Sequence, residues 1–163
     1  MARVFHSGSI EGVEIRKLQR HEDPRGWLSE LFRSDEAAPE QLPAMCYVSL
    51  THPGVTRGPH EHVDQTDWFC FLGPSSFLLV LWDNRPTSAT YDRMMRMVVG
   101  EDAPTGVIVP PGVVHGYRNV GAKDGWVVNL PNRLFKGPRR AEPVDEVRHE
   151  IDPAAPFDMD TAS

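Results

Sequence analysis

Apolar and polar residues alternate over Val13-Glu14-Ile15-Arg16-Lys17-Leu18, the period-two pattern of a strand with one buried face. Asp23-Pro24-Arg25-Gly26 predicts a turn, because proline presets φ and glycine tolerates conformations other residues avoid. Strand character resumes from Trp27 to Phe32, and the acidic, alanine-rich stretch from Ser34 to Gln41 predicts one short helical turn. A further strand runs from Met45 to Leu50, ended by His52-Pro53-Gly54. Trp68 to Leu72 is apolar and aromatic and is closed by Gly73-Pro74. Phe77 to Trp82 is an unbroken apolar run with turn residues on both sides, too short for an isolated helix, so it predicts a strand buried on both faces. Arg93 to Val99, Gly106 to Val109 and Trp126 to Leu130 complete the set. No long segment sustains a helical period. Many short strands with regular turn punctuation predict an all-β fold, a sandwich or barrel of two antiparallel sheets.

Composition agrees with that picture and narrows the partners. The 163 residues suit one domain, taken as 1–163, and the 15 prolines and 13 glycines are what many turns consume. The formal net charge of -6 gives no global attraction for nucleic acid. No apolar stretch is long enough for a membrane span or a secretory leader, which predicts a cytoplasmic protein. Cys46 and Cys70 each sit in an apolar run and are expected to be buried thiols. Beyond Lys136 the chain turns charged and proline-containing and is expected to wrap the surface, fraying at Thr161-Ala162-Ser163. Within it Lys136, Arg139 and Arg140 predict a solvated basic patch.

Two stretches carry chemistry. In Gly54-Val55-Thr56-Arg57-Gly58-Pro59-His60-Glu61-His62 the two histidines lie two apart, so on a strand both imidazoles face one side. Asp67 follows and brings a carboxylate from the next strand. In Pro110-Pro111-Gly112-Val113-Val114-His115-Gly116-Tyr117-Arg118-Asn119 a proline-glycine turn precedes a third histidine. Both stretches match the two-part cupin signature, with Asp67 standing where cupins usually carry glutamate. Three histidines and a carboxylate suit a divalent Zn, Fe, Mn or Ni ion. They equally suit a polar, metal-free cavity, and the residues alone leave both open.

The same landmarks resemble the dTDP-4-dehydrorhamnose 3,5-epimerase family, a branch of the cupins. They are Asp23-Pro24-Arg25-Gly26 with Glu30, Arg57-Gly58-Pro59-His60, and Pro110-Pro111-Gly112-Val113-Val114-His115-Gly116-Tyr117. The resemblance runs from about Gly12 to Pro153. It implies a jelly-roll barrel, a homodimer, a deoxythymidine-diphosphate keto-sugar as substrate, and no cofactor. It implies His60 as the general base, Asp152 as the carboxylate that orients it, and Arg57 and His115 as substrate-binding residues. It also implies that Arg25 and Glu30 contact the nucleotide, in the family often across the dimer. Two departures accompany it. The family's catalytic tyrosine falls on Val128, and its enolate-steadying lysine has no counterpart near Thr66-Asp67-Trp68.

Three readings follow. One is a sugar-nucleotide epimerase or isomerase of altered specificity, acting on a dTDP-4-keto-6-deoxy sugar by proton abstraction beside the ketone. The second is a metal-dependent cupin enzyme with His60, His62, Asp67 and His115 as ligands. The third is a non-catalytic sugar-binding cupin. The aromatic strand Trp68-Phe69-Cys70-Phe71 is the expected dimer face, and Tyr117 and Trp126 are expected in the core or cavity wall.

Overall fold

The computed structural model describes residues 3–160; the expected fraying at 161–163 lies outside them. Two sheets face each other. The first, in spatial order, is β1 (His6–Ser7), β9 (Arg93–Gly100), β8 (Ser76–Asp83), β11 (Val113–Asn119), β6 (Thr56–Glu61) and β13 (Val147–Arg148). The second is β2 (Glu14–Lys17), β10 (Thr105–Val109), β7 (Asp67–Phe71), β12 (Gly125–Asn129) and β5 (Tyr47–Thr51). All pairings in both are antiparallel except β1 with β9. A separate hairpin joins β3 (His21–Asp23) to β4 (Gly26–Leu28) through the Pro24-Arg25 turn. No helix among the described residues is long and apolar enough to cross a membrane.

The period of two decides what each strand buries. On β8, Phe77, Leu79 and Leu81 point between the sheets and meet Phe69 and Phe71 of β7, Val107 and Val109 of β10, and Tyr117 of β11. Leu78, Val80 and Trp82 point the other way, where Phe157 and Met159 of the C-terminal segment cover them. The apolar run is therefore continuous because both of its faces are roofed. On the outer side of the second sheet, Trp68, Cys70 and Ile108 are covered by Leu31, Phe32 and Ala37 from the loop after β4. The C-terminal segment wraps the surface as its composition predicts, and Lys136, Arg139 and Arg140 are solvent-exposed.

Several expectations are corrected. The strand predicted from Trp27 to Phe32 stops at Leu28, because Leu31 and Phe32 are used as a lid over Trp68 rather than as ladder residues. Cys46 is exposed while Cys70 is buried. Trp126 is 54% exposed and not part of the core. The aromatic strand Trp68–Phe71 cannot meet a partner: β7 lies between β10 and β12 and is buried throughout. The exposed apolar side chains of Val48, Leu50 and Trp126 instead lie together at the edge of the second sheet, where Trp126 pairs with Leu50 and Val48 with Val128.

Candidate active site

β6 and β11 place the histidines. His60 is directly opposite His115, and Arg57 is opposite Tyr117. Three steps along β6 thus match two along β11, so β6 carries a bulge, which turns both Arg57 and His60 toward the same interior as His115 and Tyr117. Gly58 sits in the bulge at φ +78, and a Cβ there would lie 2.6 Å from the His115 carbonyl oxygen. Only glycine fits both the left-handed conformation and the close approach. His62 follows the end of β6, and its carbonyl accepts the Gly112 N–H at 2.9 Å, which ties the Pro110-Pro111-Gly112 turn to the histidine pair.

The three imidazoles converge. Ring centroids are 4.5 Å apart for His60 and His115, 5.7 Å for His60 and His62, and 5.9 Å for His62 and His115. One ring nitrogen from each lies within 4.8 Å of the others. Asp67, fully buried on β7, reaches across from the facing sheet: its Oδ2 is 3.0 Å from His62 Nε2 and 3.3 Å from His115 Nε2. Its Oδ1 accepts from Gln65 Nε2 at 2.9 Å and Asn129 Nδ2 at 2.8 Å.

Charge in this cluster follows from the bonds at the far side of each ring. His115 Nδ1 donates to the Val113 carbonyl at 3.0 Å, and His62 Nδ1 to the Asp145 carbonyl. Both Nε2 atoms are thereby the second nitrogens of their rings, aimed at a carboxylate. His115 Nε2 is buried without a hydrogen-bond partner, and Asp67 Oδ2 has His62 Nε2 as its near neighbour at 3.0 Å. A bare nitrogen lone pair against a carboxylate is repulsive, so a positive charge belongs here, either a proton or a cation. Burial alone would lower the His62 pKa, but its hydrogen bond to Asp67 and that group's charge raise it to about 9. Burial would raise the Asp67 carboxyl, yet His115 and His62 hold it well below the usual carboxylate range. The donor set, three imidazoles and one carboxylate, also fits a first-row divalent ion.

His60 is the contrasting ring. Burial, reinforced by the neighbouring imidazoles, pushes its pKa down to about 2, so it is neutral with a lone pair available. The carboxylate beside it is Glu146, whose Oε1 lies 4.0 Å from His60 Nε2 and whose other oxygen pairs with Arg148 Nε at 2.6 Å. Asp152 does not orient His60: it is exposed, its Oδ1 accepts the Ala154 N–H, and no ion pair links it to His60 among the described residues. The segment leaves β13 for a short 3-10 turn at His149–Ile151, which carries Asp152 away from the cluster.

Other expected residues divide by location. Arg57 stands beside the cluster, its guanidinium held by Thr51 Oγ1 at 2.9 Å and the Leu50 carbonyl at 2.7 Å. Arg25 is at the tip of the exposed hairpin, paired with Asp23 at 2.5 Å, and Glu30 lies just beyond it, paired with Arg33 at 3.3 Å. Val128, at the family's tyrosine position, packs on the outer side of the second sheet; the inward residues of β12 are Val127 and Asn129. Asp145 was invisible in the sequence. Its carboxylate accepts the N–H groups of Val63, Asp64 and Gln65 at 2.8, 3.0 and 2.9 Å, organising the loop from about 80 residues away.

Comparison with known proteins agrees with this architecture. Among solved structures, a dTDP sugar isomerase from Desulfovibrio desulfuricans superposes with a TM-score of 0.79 at 22% identity, over 94% of each chain. A double mutant of ChmJ, a 3'-monoepimerase from Streptomyces bikiniensis, in complex with dTDP gives 0.73 at 24% identity, covering 98% of this chain and 78% of that one. By sequence, a probable low-salt glycan biosynthesis epimerase, Agl13, of Haloferax volcanii is 36% identical over 129 residues, 78% of this chain and 81% of that protein. The spore coat polysaccharide biosynthesis protein SpsL of Bacillus subtilis is 39% identical over 113 residues, 69% of this chain and 73% of that protein. The model of the dTDP-4-dehydrorhamnose 3,5-epimerase family matches residues 7–129, a span that contains all three cavity histidines, the whole second sheet and β6, β8, β9 and β11 of the first sheet but not β13, and the chain belongs to that family.

Proposed function

We propose that this chain is an isomerase that takes the proton beside the ketone of a dTDP-4-keto-6-deoxy sugar, with His60 as the base. The observation that carries this is the convergence of His60, His62 and His115 with the buried Asp67 carboxylate inside the barrel, beside Arg57. A carbonyl acidifies its neighbouring C–H, and a neutral imidazole accepts the proton. The negative charge that then develops on the ketone oxygen needs a positive partner. No lysine is available near Asp67, and the proton held between His62 and Asp67 supplies that partner. Arg57 and His115 hold the substrate, the arginine as a planar donor suited to phosphate oxygens. The test is hydrogen exchange in deuterated water: the enzyme should wash deuterium into the substrate carbon next to the ketone.

A bound divalent ion is the second way to place positive charge against Asp67, and the buried, unpartnered His115 Nε2, at 3.3 Å from Asp67 Oδ2, is the support for it. His60, His62, His115 and Asp67 would hold it, and it would polarise the ketone oxygen as a Lewis acid. Elemental analysis separates the two. The epimerase reading expects full exchange activity in protein stripped by chelator; loss of activity that returns with one equivalent of Zn, Fe, Mn or Ni favours the second.

The proposal includes a homodimer in the cytoplasm. Arg25 and Glu30 lie on and beside a solvent-exposed hairpin, outside their own chain's histidine cluster, and a second copy gives them a site to complete. The apolar patch of Val48, Leu50 and Trp126 offers a face for it. Sedimentation equilibrium is expected to give twice the 18.3 kDa chain mass, and Trp126→Glu is expected to shift it toward the monomer.

A further inference from the structure

Inverting a carbon beside a ketone takes two groups on opposite faces of the sugar ring, one removing a proton and the other returning one. His60 stands on the six-stranded sheet. The opposite wall is the five-stranded sheet, and there β5 turns Tyr47 inward. Tyr47, Ser49 and Thr51 share one face of the strand. Ser49 Oγ lies 3.1 Å from the hydroxyl of core residue Tyr117, and Thr51 is buried. The Tyr47 hydroxyl lies 2.9 Å from Asn129 Nδ2, while the residue as a whole is 45% exposed. It is thus reachable both from the cluster and from solvent.

The hydrogen-bond bookkeeping around Asn129 assigns the direction of these bonds. Asn129 Oδ1 accepts the Trp68 N–H at 3.1 Å, so Nδ2 is the donor on the other side. One of its hydrogens goes to Asp67 Oδ1 at 2.8 Å and the other to Tyr47 at 2.9 Å. The Tyr47 oxygen therefore accepts, and its own hydrogen has no protein acceptor among the described residues. Tyr117 is placed differently: its hydroxyl is shared with Ser49, and its ring is enclosed by Phe69, Phe71 and Phe77 at 5.5 to 6.0 Å.

From this we infer that Tyr47 is the general acid that returns a proton to the substrate carbon on the face opposite His60. The inference rests on the epimerase reading above. In the first half-reaction the C–H bond breaks, its proton goes to a His60 ring nitrogen, and its electron pair forms the enolate. In the second, the enolate carbon takes the Tyr47 hydrogen, the carbonyl reforms, and the O–H electron pair stays on the phenolate, steadied by the Asn129 N–H. Exchange of protons with water returns His60 and Tyr47 to their starting states. Burial pushes the Tyr47 pKa up to about 12, which keeps the acid loaded at neutral pH. A tyrosine on β5 thereby does what an outward-facing residue at position 128 cannot.

Tyr47→Phe removes one oxygen and keeps the ring, and Tyr117→Phe serves as the control from the core. With a dTDP-4-keto-6-deoxy sugar in deuterated water, Tyr47→Phe is expected to exchange deuterium into the substrate within a few-fold of wild type while forming the inverted product about a hundredfold more slowly. Tyr117→Phe is expected to keep the wild-type ratio of exchange to inversion. Inversion by Tyr47→Phe within about threefold of wild type overturns the assignment, and so does parallel loss of exchange and inversion, which would mark a structural role. A wild-type enzyme that neither exchanges nor inverts such substrates sinks the epimerase reading and this assignment with it, an outcome distinct from failure of the Tyr47 variant alone.

Discussion

Replacing His60 with alanine is expected to cut solvent-deuterium exchange into the substrate by about a hundredfold or more, the usual worth of a positioned general base. The size follows from the surroundings. Burial and the neighbouring imidazoles keep the His60 lone pair free, while the Asp67 carboxylate holds a proton on His62. Removing His60 leaves the charged pair intact but nothing to receive the substrate proton. His62→Ala should behave differently. It removes the positive charge facing Asp67, so it should impair stabilisation of the developing oxyanion and should also strand a buried carboxylate. The two variants are separated by stability: thermal unfolding of His60→Ala should stay near wild type, and His62→Ala should melt lower. Exchange persisting in His60→Ala at the wild-type rate would remove this residue from the mechanism.

The largest effect on stability is expected away from the site, at Asp83. Its side chain is fully buried at the end of β8 and is saturated with donors. Arg85 Nε bonds Oδ1 and Nη2 bonds Oδ2, both at 2.8 Å, and Ser88 Oγ and Thr90 Oγ1 each bond Oδ2 at 2.6 Å. This one carboxylate folds the Asn84–Asp92 loop onto the barrel. Asp83→Ala leaves Arg85 and two hydroxyls without their acceptor, and breaking such a buried pair costs about 3 to 5 kcal/mol. For a chain of this size that is a fall in melting temperature on the order of 10 °C, readable by calorimetry. Burial raises the Asp83 pKa, but Arg85, Ser88 and Thr90 outweigh it and hold the carboxyl below its ordinary 3.8. The sign follows: the stabilisation is whole above pH of about 4 and is lost as pH falls through the lower folded-state value. The stability gap between wild type and Asp83→Asn should therefore be flat from neutral pH downward and close only in acid. A gap that instead narrows as pH rises would contradict the depressed carboxyl.

Period-two alternation, the unbroken run at Phe77–Trp82 and the turn residues determined the all-β class and most strand positions, because a pleated strand exposes alternate side chains to different solvents and that demand is written locally. The histidine cluster was legible for a similar reason. His60 and His62 lie within one short segment, and the Pro110-Pro111-Gly112 turn announces His115. What the sequence left open were relations between residues far apart in the chain. Asp152 is the carboxylate the resemblance implies, yet a short 3-10 turn carries it off, and Glu146 comes to His60 because β13 pairs with β6 in a particular register. Val128 and Asn129 differ by one position on a strand, and that single step decides which faces the cavity. The aromatic strand Trp68–Phe71 reads as sticky whether it lies at an edge or in the middle, and only the strand order, with β10 on one side and β12 on the other, buries it. Tyr47 became visible for the same reason: its partner Asn129 is 82 residues away, and their bond exists only because the second sheet lays β5 beside β12 with the two residues directly opposite.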